Sequence, residues 1–217
     1  MEKYISKKEK ASYGFAAVGS YMVAGITQSY LMYFFTDILI IPSAFVMMLM
    51  IVARVWDALN DPMMGVIVDR TSTKYGKMRP YVLVGSFLML VTTIVLFMPL
   101  TGAPTMFKMI FAAVSYIIFG MAYTLTDVPA MGLMSVATPN SDERASLLSF
   151  YVTVGSVGSL LPVGLLTIFQ SFIPEKYVYF AMSIFVGIIT SAAYLTLFKN
   201  SKERFSTHTE KIAVRDM

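Results

Sequence analysis

Four ionisable side chains lie inside long apolar stretches of this sequence. Arg54, Asp57 and Asp61 belong to one stretch, and Asp127 belongs to another. Spacings of three and four residues would place Arg54, Asp57 and Asp61 along one face of a helix. Because a charge in an apolar environment is costly, such residues usually face a cavity, a ligand or a charged partner. These four residues are therefore the first candidates for the chemistry of the chain.

Neighbouring side chains add oxygen atoms to this set. Asn60 carries an amide beside the two aspartates of the first stretch, while Tyr123, Thr124 and Asp127 share a face of their own helix. Carboxylate, amide and hydroxyl oxygens suit a small hard cation, or a proton shared between acids. Alternatively, Arg54 neutralises the nearest aspartate and the pair only fastens two helices, although one arginine cannot neutralise three aspartates. The residues alone leave both interpretations open.

The composition favours a membrane protein and excludes several kinds of active site. Hydrophobic residues make up 57% of the chain and charged residues 14%, against roughly half and a quarter in soluble domains. There is no cysteine and a single histidine, His208, so disulfides, thiol nucleophiles and multi-histidine metal sites are excluded. With no nucleophile–base pair or phosphate-binding loop in sight, we do not expect an enzyme.

The apolar stretches are long enough to cross a bilayer as helices, which requires roughly 20 residues each. Lipid offers no hydrogen-bond partners to the backbone, so the spans must be helical. Small residues on the fifth span predict close helix packing rather than a ligand site; they are Gly155, Ser156, Gly158, Ser159 and Gly164. The sequence predicts an all-α membrane protein with six transmembrane helices, near residues 11–36, 44–68, 80–100, 106–137, 145–173 and 177–198.

The basic residues predict the orientation of these spans. Lysine and arginine concentrate in the N-terminal arm, the 69–80 and 138–144 loops and the 199–217 tail, whereas the opposite side has only Lys108 and Lys176. Because basic loops stay in the cytoplasm, both termini are expected there, in a multi-pass protein of the plasma membrane. The net charge of +4 is then a signal of topology and of contact with anionic lipid, and no nucleic-acid partner is expected.

Two motifs are specific enough to resemble a known family. The first, at 54–81, begins Arg-Val-Trp-Asp-Ala-Leu-Asn-Asp-Pro and ends Tyr-Gly-Lys-Met-Arg-Pro-Tyr; the second, at 120–129, reads Gly-Met-Ala-Tyr-Thr-Leu-Thr-Asp-Val-Pro. Both resemble the glycoside–pentoside–hexuronide:cation symporters, the melibiose permease-like branch of the major facilitator superfamily. The resemblance runs from about Tyr13 to the end of the chain.

That resemblance implies a twelve-span fold made of two six-helix bundles, each a pair of inverted three-helix repeats. This chain looks like the N-terminal bundle, with spans up to residue 198. The tail at 199–217 is similar to the start of the central loop that leads to a C-terminal bundle. That second bundle would belong to the same chain or to a second polypeptide.

The resemblance also implies roles for the polar residues. The implied cation ligands are Asp57, Asp61, Asn60 and Thr124. Na⁺ is the only metal ion expected, at the two aspartates, with H⁺ or Li⁺ as alternatives, and no organic cofactor is implied. The implied substrate-binding residues are Asp127, Tyr123, Tyr21 and Arg54.

A third group of residues resembles the cytoplasmic gating motif of the superfamily. In that motif, charges pair with neighbouring helix ends and tune the equilibrium between inward-facing and outward-facing states. The alternative is that the charges here act only as a topology signal. The matching residues are Gly65, Asp69, Arg70, Gly76, Lys77 and Arg79.

Several sugar contacts of melibiose permease-like proteins are absent. An acidic ligand in a Gly-Lys-Asp context is replaced by Gly19-Ser20-Tyr21, and an arginine of the fifth helix aligns near Val152. An aromatic sugar platform is replaced around Ala130 and Met131. Because these contacts differ, the resemblance does not imply a galactoside as the substrate, and other glycosides, pentosides, uronides or lysolipids stay open.

Together these features predict the N-terminal half of a cation-coupled symporter for a sugar or glycoside, working by alternating access. Three alternatives remain. The chain could be a half-size transporter that assembles with itself or a partner, a lysolipid-type symporter of the same superfamily, or a membrane sensor that transports nothing.

Overall fold

The computed structural model describes residues 4–205. His208 and most of the predicted central loop therefore lie outside the described residues. Those that are described form six α-helices, which confirms the predicted all-α membrane fold. The helices are α1 Lys7–Tyr33, α2 Ser43–Arg70, α3 Arg79–Leu96, α4 Thr105–Ala137, α5 Ser141–Gln170 and α6 Glu175–Asn200, and a π-helical turn, Phe34–Ile38, continues α1.

Two helix ends differ from the predicted spans for local reasons. The α3 helix ends at Leu96, before the predicted limit of 100, because the residue preceding Pro99 is disfavoured in the helical conformation. The α5 helix begins at Ser141 instead of 145, because the side chain of Asn140 accepts hydrogen bonds from two free N–H groups of its first turn. Both signals are local and override the apolar pattern at the ends of the helices.

Five of the helices described, α2 to α6, are long and apolar enough to cross a membrane. The α1 helix does not meet that criterion, although the sequence predicts a span there. It contains many glycine, serine and tyrosine residues, and many of these are buried within the bundle. A helix that packs mainly against other helices can carry polar side chains on its buried face.

Contacts at the two ends of the bundle define the directions of the helices. At one end, Arg204, just after α6, forms an ion pair with Glu9 at the start of α1, with 2.7 Å between nitrogen and oxygen. At the opposite end, the hydroxyl of Tyr33 in α1 donates to Glu175 at the start of α6 over 2.7 Å. The α1 and α6 helices are therefore antiparallel, and both ends of the described chain lie at the same end of the bundle.

The packing of the helices has an internal repeat. The five most extensive helix contacts are those of α1 with α5 and α6, of α4 with α2 and α3, and of α3 with α6. Exchanging each helix with the one three places along the chain leaves this set unchanged. Because short connections make successive helices alternate in direction, α1–α3 and α4–α6 form two inverted three-helix repeats, as predicted.

Glycines bring α1 and α5 into close contact. A Cβ atom at Gly25 would lie 2.6 Å from the carbonyl oxygen of Ser159, and one at Gly158 would lie 2.7 Å from that of Val18. The predicted close packing of small residues on α5 is therefore confirmed. Gly164 does not belong to this contact, since a Cβ there would meet nothing within 4 Å.

Two apolar clusters form the core, one toward each end of the bundle. One contains Tyr13 of α1 and Leu133 of α4, and the other contains Met22 of α1 and Phe119 of α4. Asp127 lies between these levels on α4. The polar site is therefore held at mid-height of the bundle by apolar packing above and below it.

Candidate functional site

The ionisable residues of the apolar stretches meet at one cavity. This first cavity, of about 600 Å³, lies between α1, α2 and α4, and Arg54, Asp57, Asp61 and Asp127 all line it. A second cavity of about 400 Å³ lies between α1, α4 and α5. Among its lining residues are Tyr21, Tyr123, Asp127 and Tyr151.

Four residues are positioned where the two cavities meet. Both cavities are lined by Ala24 and Gln28 of α1 and by Tyr123 and Asp127 of α4. The two residues of α4 are four positions apart and therefore project from the same face of the helix. A ligand in either cavity would lie beside this pair of side chains.

The two aspartates of α2 face α4 at close range. The hydroxyl of Thr124 donates to Oδ1 of Asp61 over 2.8 Å. A Cβ atom at Gly120 would lie only 3.0 Å from Oδ1 of Asp57, so the backbone of α4 closely approaches that carboxylate. This arrangement brings together two carboxylates and a hydroxyl, which are ligands for a hard cation.

Asn60 differs in placement from the other predicted cation ligands. Its side chain is almost fully buried, and it is not among the residues that line the first cavity. Its amide nitrogen has no hydrogen-bond partner within residues 4–205. Those residues also contain no group of three or more Asp, Glu, His or Cys able to hold a metal ion, so a cation here would need neutral oxygen ligands.

Arg54 lies on the wall of the first cavity with its side chain exposed. It forms no ion pair within 4.0 Å to a carboxylate of the described chain. The interpretation that Arg54 only fastens Asp57 in a salt bridge therefore has no support in the geometry. The guanidinium remains available to a ligand.

Hydroxyl groups from three helices converge on Asp127. Oδ1 of this residue accepts hydrogen bonds from Ser20 of α1 at 2.8 Å, Tyr194 of α6 at 3.2 Å and Tyr151 of α5 at 3.4 Å. The oxygens of Ser20 and Tyr123 lie 3.1 Å apart. Ser20, Tyr151 and Tyr194 were not among the predicted site residues. The one signal for them was that a buried carboxylate needs hydrogen-bond donors, and spacing along one helix does not identify donors on other helices.

The predicted substrate contact Tyr21 lines the second cavity. Its ring contacts that of Tyr151 edge-on, with 6.3 Å between centroids, and it packs directly over Gly155. Met131, one of the positions that depart from the melibiose permease-like pattern, also lines this cavity, whereas Ala130 is fully buried. Tyrosine rings thus form much of the wall in the part of the site where the family pattern is absent.

Trp56 is a further residue of the first cavity. It is the sole tryptophan of the chain and lies next to Asp57 in α2. It was not among the predicted site residues, because an aromatic side chain on an apolar helix is most often part of the core. Its position makes it an intrinsic optical reporter of the site.

The residues that resemble a cytoplasmic gating motif contact the segment that follows α6. The carboxylate of Glu203 accepts hydrogen bonds from the backbone N–H groups of Lys77 at 2.8 Å, Met78 at 2.9 Å and Arg79 at 3.0 Å. An anion at the start of a helix is favourable because the first N–H groups are free. In turn, Arg79 donates to the carbonyl of Phe198, near the end of α6, over 2.7 Å. Glu203 was missed because it lies far from α3 in sequence.

The other motif residues differ in their surroundings. Gly76 has a φ of 105°, a left-handed conformation that side chains rarely adopt, and a Cβ there would collide with Glu203. Asp69 and Arg70 are exposed, and neither takes part in an ion pair within the described chain. A Cβ at Gly65 would meet nothing within 4 Å.

A second link at this end of the bundle joins α1 to the segment after α6. Arg204 bonds both carboxylate oxygens of the buried Glu9, at 2.9 and 2.7 Å. These hydrogen bonds to Glu9 raise the pKa of the Arg204 guanidinium above its usual value. The segment after α6 therefore connects the starts of α1 and α3.

Sequence comparisons relate this chain to known transport proteins. A family profile described as MFS/sugar transport protein matches residues 12–216. The uncharacterized symporter YjmB of Bacillus subtilis is 34% identical over 208 residues. The putative glycoside/cation symporter YagG of Escherichia coli is 31% identical over 206 residues, and the isoprimeverose transporter of Lactiplantibacillus pentosus is 28% identical over 211 residues.

These alignments cover nearly all of this chain but less of the relatives. The alignment with YjmB includes 94% of this chain and 45% of YjmB. The corresponding shares are 93% and 44% for YagG, and 95% and 44% for the isoprimeverose transporter. The chain therefore spans about half the length of the curated relatives it matches.

Proposed function

This chain belongs to the MFS/sugar transport protein family, and from that membership we propose that it forms the N-terminal half of a cation-coupled symporter for a glycoside. Members of this family move their substrates across a membrane and do not convert them chemically. The family and the five apolar helices make the chain part of a multi-pass membrane protein. The coupling cation, the glycoside and the second bundle belong to the proposal.

The observation that carries the proposal is the position of Asp127 at the junction of the two cavities. Asp57 and Asp61 line the first cavity, while Tyr21 and Tyr151 line the second. Asp127 lines both, so a cation in one and a substrate in the other would each lie beside the same carboxylate. A shared wall of this kind allows one ligand to change the affinity of the other.

The proposed coupling starts at the two aspartates of α2. A cation held between Asp57 and Asp61 would reduce the repulsion between the carboxylates and order α2 against α4 through Thr124. Both effects would prepare the junction for substrate. Because coupling free energies are reciprocal, bound substrate would then tighten cation binding by the same factor.

The charges of the cavity favour an uncharged glycoside over a uronide. Three carboxylates and the guanidinium of Arg54 are the charged groups among the described residues that line the first cavity. One monovalent cation would therefore leave an excess of negative charge, which repels a substrate carboxylate. The hydroxyl groups of a neutral sugar can instead donate to Asp127, and tyrosine rings can pack against its apolar C–H faces.

The exposed faces of two helices support a second bundle. Within the most apolar 18-residue stretch of each helix, 22% is buried in α2 and 17% in α5, against 50% in α6. The α2 and α5 helices occupy equivalent positions in the two repeats. We propose that a C-terminal six-helix half covers part of these faces, that lipid covers the rest, and that both termini lie in the cytoplasm of a plasma-membrane protein.

Uptake in cells that express the complete coding sequence tests this proposal. We would supply radiolabelled xyloside, glucoside, galactoside and glucuronide, each with and without Na⁺ and at several pH values. The expected result is accumulation of at least one neutral glycoside, stimulated by Na⁺ or by protons, and weaker uptake of the glucuronide. Uptake of none of them above that of empty cells would overturn the proposal.

A further inference from the structure

The carboxylate of Asp127 is held asymmetrically. All three hydroxyl donors, Ser20, Tyr151 and Tyr194, bond to Oδ1. None of the residues described in the structure donates a hydrogen bond to Oδ2. One oxygen of the carboxylate is thus committed to the protein, and the other is left for a ligand.

Three donors are enough to fix the orientation of the carboxylate. A carboxylate oxygen offers about two lone-pair directions, so Oδ1 has no capacity left for a substrate. The donors come from α1, α5 and α6, and Asp127 itself belongs to α4. Rotation of the carboxylate would break bonds to three separate helices.

The three donors are almost fully buried: Ser20 and Tyr194 are 0% exposed and Tyr151 is 1% exposed. Ser20 and Tyr194 line neither of the two cavities, so their hydroxyl groups act there only through Asp127, which makes them positioning residues. Tyr151 also forms part of the wall of the second cavity, but its hydroxyl group bonds to Asp127.

The hydrogen-bond direction at Ser20 adds a second acceptor to the site. Because the hydroxyl hydrogen of Ser20 is donated to Asp127, the contact between Ser20 and Tyr123 requires Tyr123 to donate. The phenolic oxygen of Tyr123 then keeps its lone pairs for the cavity. Oδ2 of Asp127 and the oxygen of Tyr123 are both acceptors, which matches a ligand with adjacent hydroxyl donors.

We propose that Ser20, Tyr151 and Tyr194 form a three-hydroxyl cradle that fixes one oxygen of Asp127 and presents the other to the hydroxyl groups of a sugar ring. The inference rests on the proposed function, because it assigns the glycoside site to the junction of the two cavities.

The test removes one hydroxyl at a time with Ser20→Ala, Tyr151→Phe and Tyr194→Phe. Tyr13→Phe is the matched control, because Tyr13 is equally buried in the same apolar cluster and its hydroxyl has no hydrogen-bond partner in the described chain. The probes are the 4-nitrophenyl derivatives of β-xylose, β-glucose and α-galactose. In the presence of Na⁺, each is measured as a transported substrate and as an inhibitor of the uptake of a radiolabelled glycoside.

We expect each cradle variant to raise KM about tenfold, as loss of one hydrogen bond to a charged group implies. Vmax should change little, and Tyr13→Phe should resemble the wild type. Variants that lower Vmax at unchanged KM would indicate a structural role and overturn the inference. Wild-type KM values in all three cradle variants would also overturn it. If the wild type transports none of the probes, the proposed function itself fails and the inference falls with it.

Discussion

Asp57 and Asp61 are the residues for which sequence and geometry agree most directly. Their spacing of four residues places both on one face of α2, and the same face lines the first cavity. Across from them, α4 presents the hydroxyl of Thr124 and the bare backbone at Gly120. An oxygen-rich gap of this kind at mid-height of an apolar bundle is where we expect the coupling cation.

The first prediction concerns these two carboxylates. Asp57→Asn and Asp61→Asn should each weaken Na⁺ binding about tenfold or more, since each removes a charged ligand. The measurement is a Na⁺ titration of the fluorescence of Trp56, the sole tryptophan, which lines the same cavity. Asp142→Asn, at an exposed position at the start of α5, should respond like the wild type. A wild-type response in both cavity variants would show that the cation binds elsewhere.

The second prediction concerns the hydroxyl of Thr124, which donates to Asp61. Thr124→Val removes that hydroxyl at nearly constant volume and should weaken Na⁺ binding several-fold to tenfold, the usual range for a hydrogen bond to a charged group. Thr124→Ser keeps the hydroxyl and should stay within about twofold of the wild type. If valine and serine behave alike in the same titration, the hydroxyl is not part of the site.

The residues that could be predicted from sequence are those that share a helix. Helical periodicity alone places Tyr123 and Asp127 on one face, because four residues make about one turn. It does not decide whether Asn60 reaches the cavity: a neighbour in sequence is turned by about 100° around the axis, and Asn60 is buried beside the exposed Asp61. The bond from Ser20 to Asp127 joins two helices, and it depends on how those helices are rotated and packed, which one sequence does not specify.

At the scale of the helices, glycine contacts set the distance between α1 and α5. The backbones approach so closely at Gly25 and Gly158 that side-chain atoms have no room there. This packing holds Tyr21, on α1, against Tyr151, on α5, at the edge of the second cavity. The close packing of small residues on α5 could be predicted from the sequence. That Gly164 lies outside this contact could not.

The third prediction compares two glycines of α5. Gly158→Ala should destabilise the bundle by about 1–3 kcal/mol, because the added methyl group meets the backbone of Val18. Gly164→Ala should be neutral or stabilising by up to about 1 kcal/mol, because a Cβ there meets nothing and alanine favours helix. Thermal unfolding in detergent, followed by circular dichroism, distinguishes them. Equal melting temperatures would contradict the packing described for α1 and α5.

The fourth prediction concerns the cap of α3. Glu203→Gln removes the negative charge that bonds three N–H groups at the start of this helix and should cost about 1–3 kcal/mol of stability. Lys202→Gln, at the exposed neighbouring position, is the control and should unfold at the wild-type temperature. An unchanged melting temperature for Glu203→Gln would mean that the segment after α6 does not stabilise α3.

At the scale of the whole molecule, the described residues form one six-helix bundle with an open cavity. Two inverted repeats pack into one bundle, and the candidate site lies at mid-height between them. The composition and the apolar stretches were sufficient to predict six helical spans, because each span must be helical in lipid. Their arrangement as two inverted repeats was implied by the family resemblance. The sequence predicted α1 as a span but did not show that its polar residues are buried against α5 and α6.

The central claim is that cation and glycoside share the wall formed by Asp127, and equilibrium binding tests it most directly. Flow dialysis of a radiolabelled neutral glycoside against membranes that contain the full-length protein would be performed with and without Na⁺, and over a range of pH. We predict that Na⁺, or protons in its place, raises the glycoside affinity by about 5- to 150-fold, the usual range of coupling between sites. A glycoside affinity that stays the same with Na⁺, Li⁺ and pH would contradict the account.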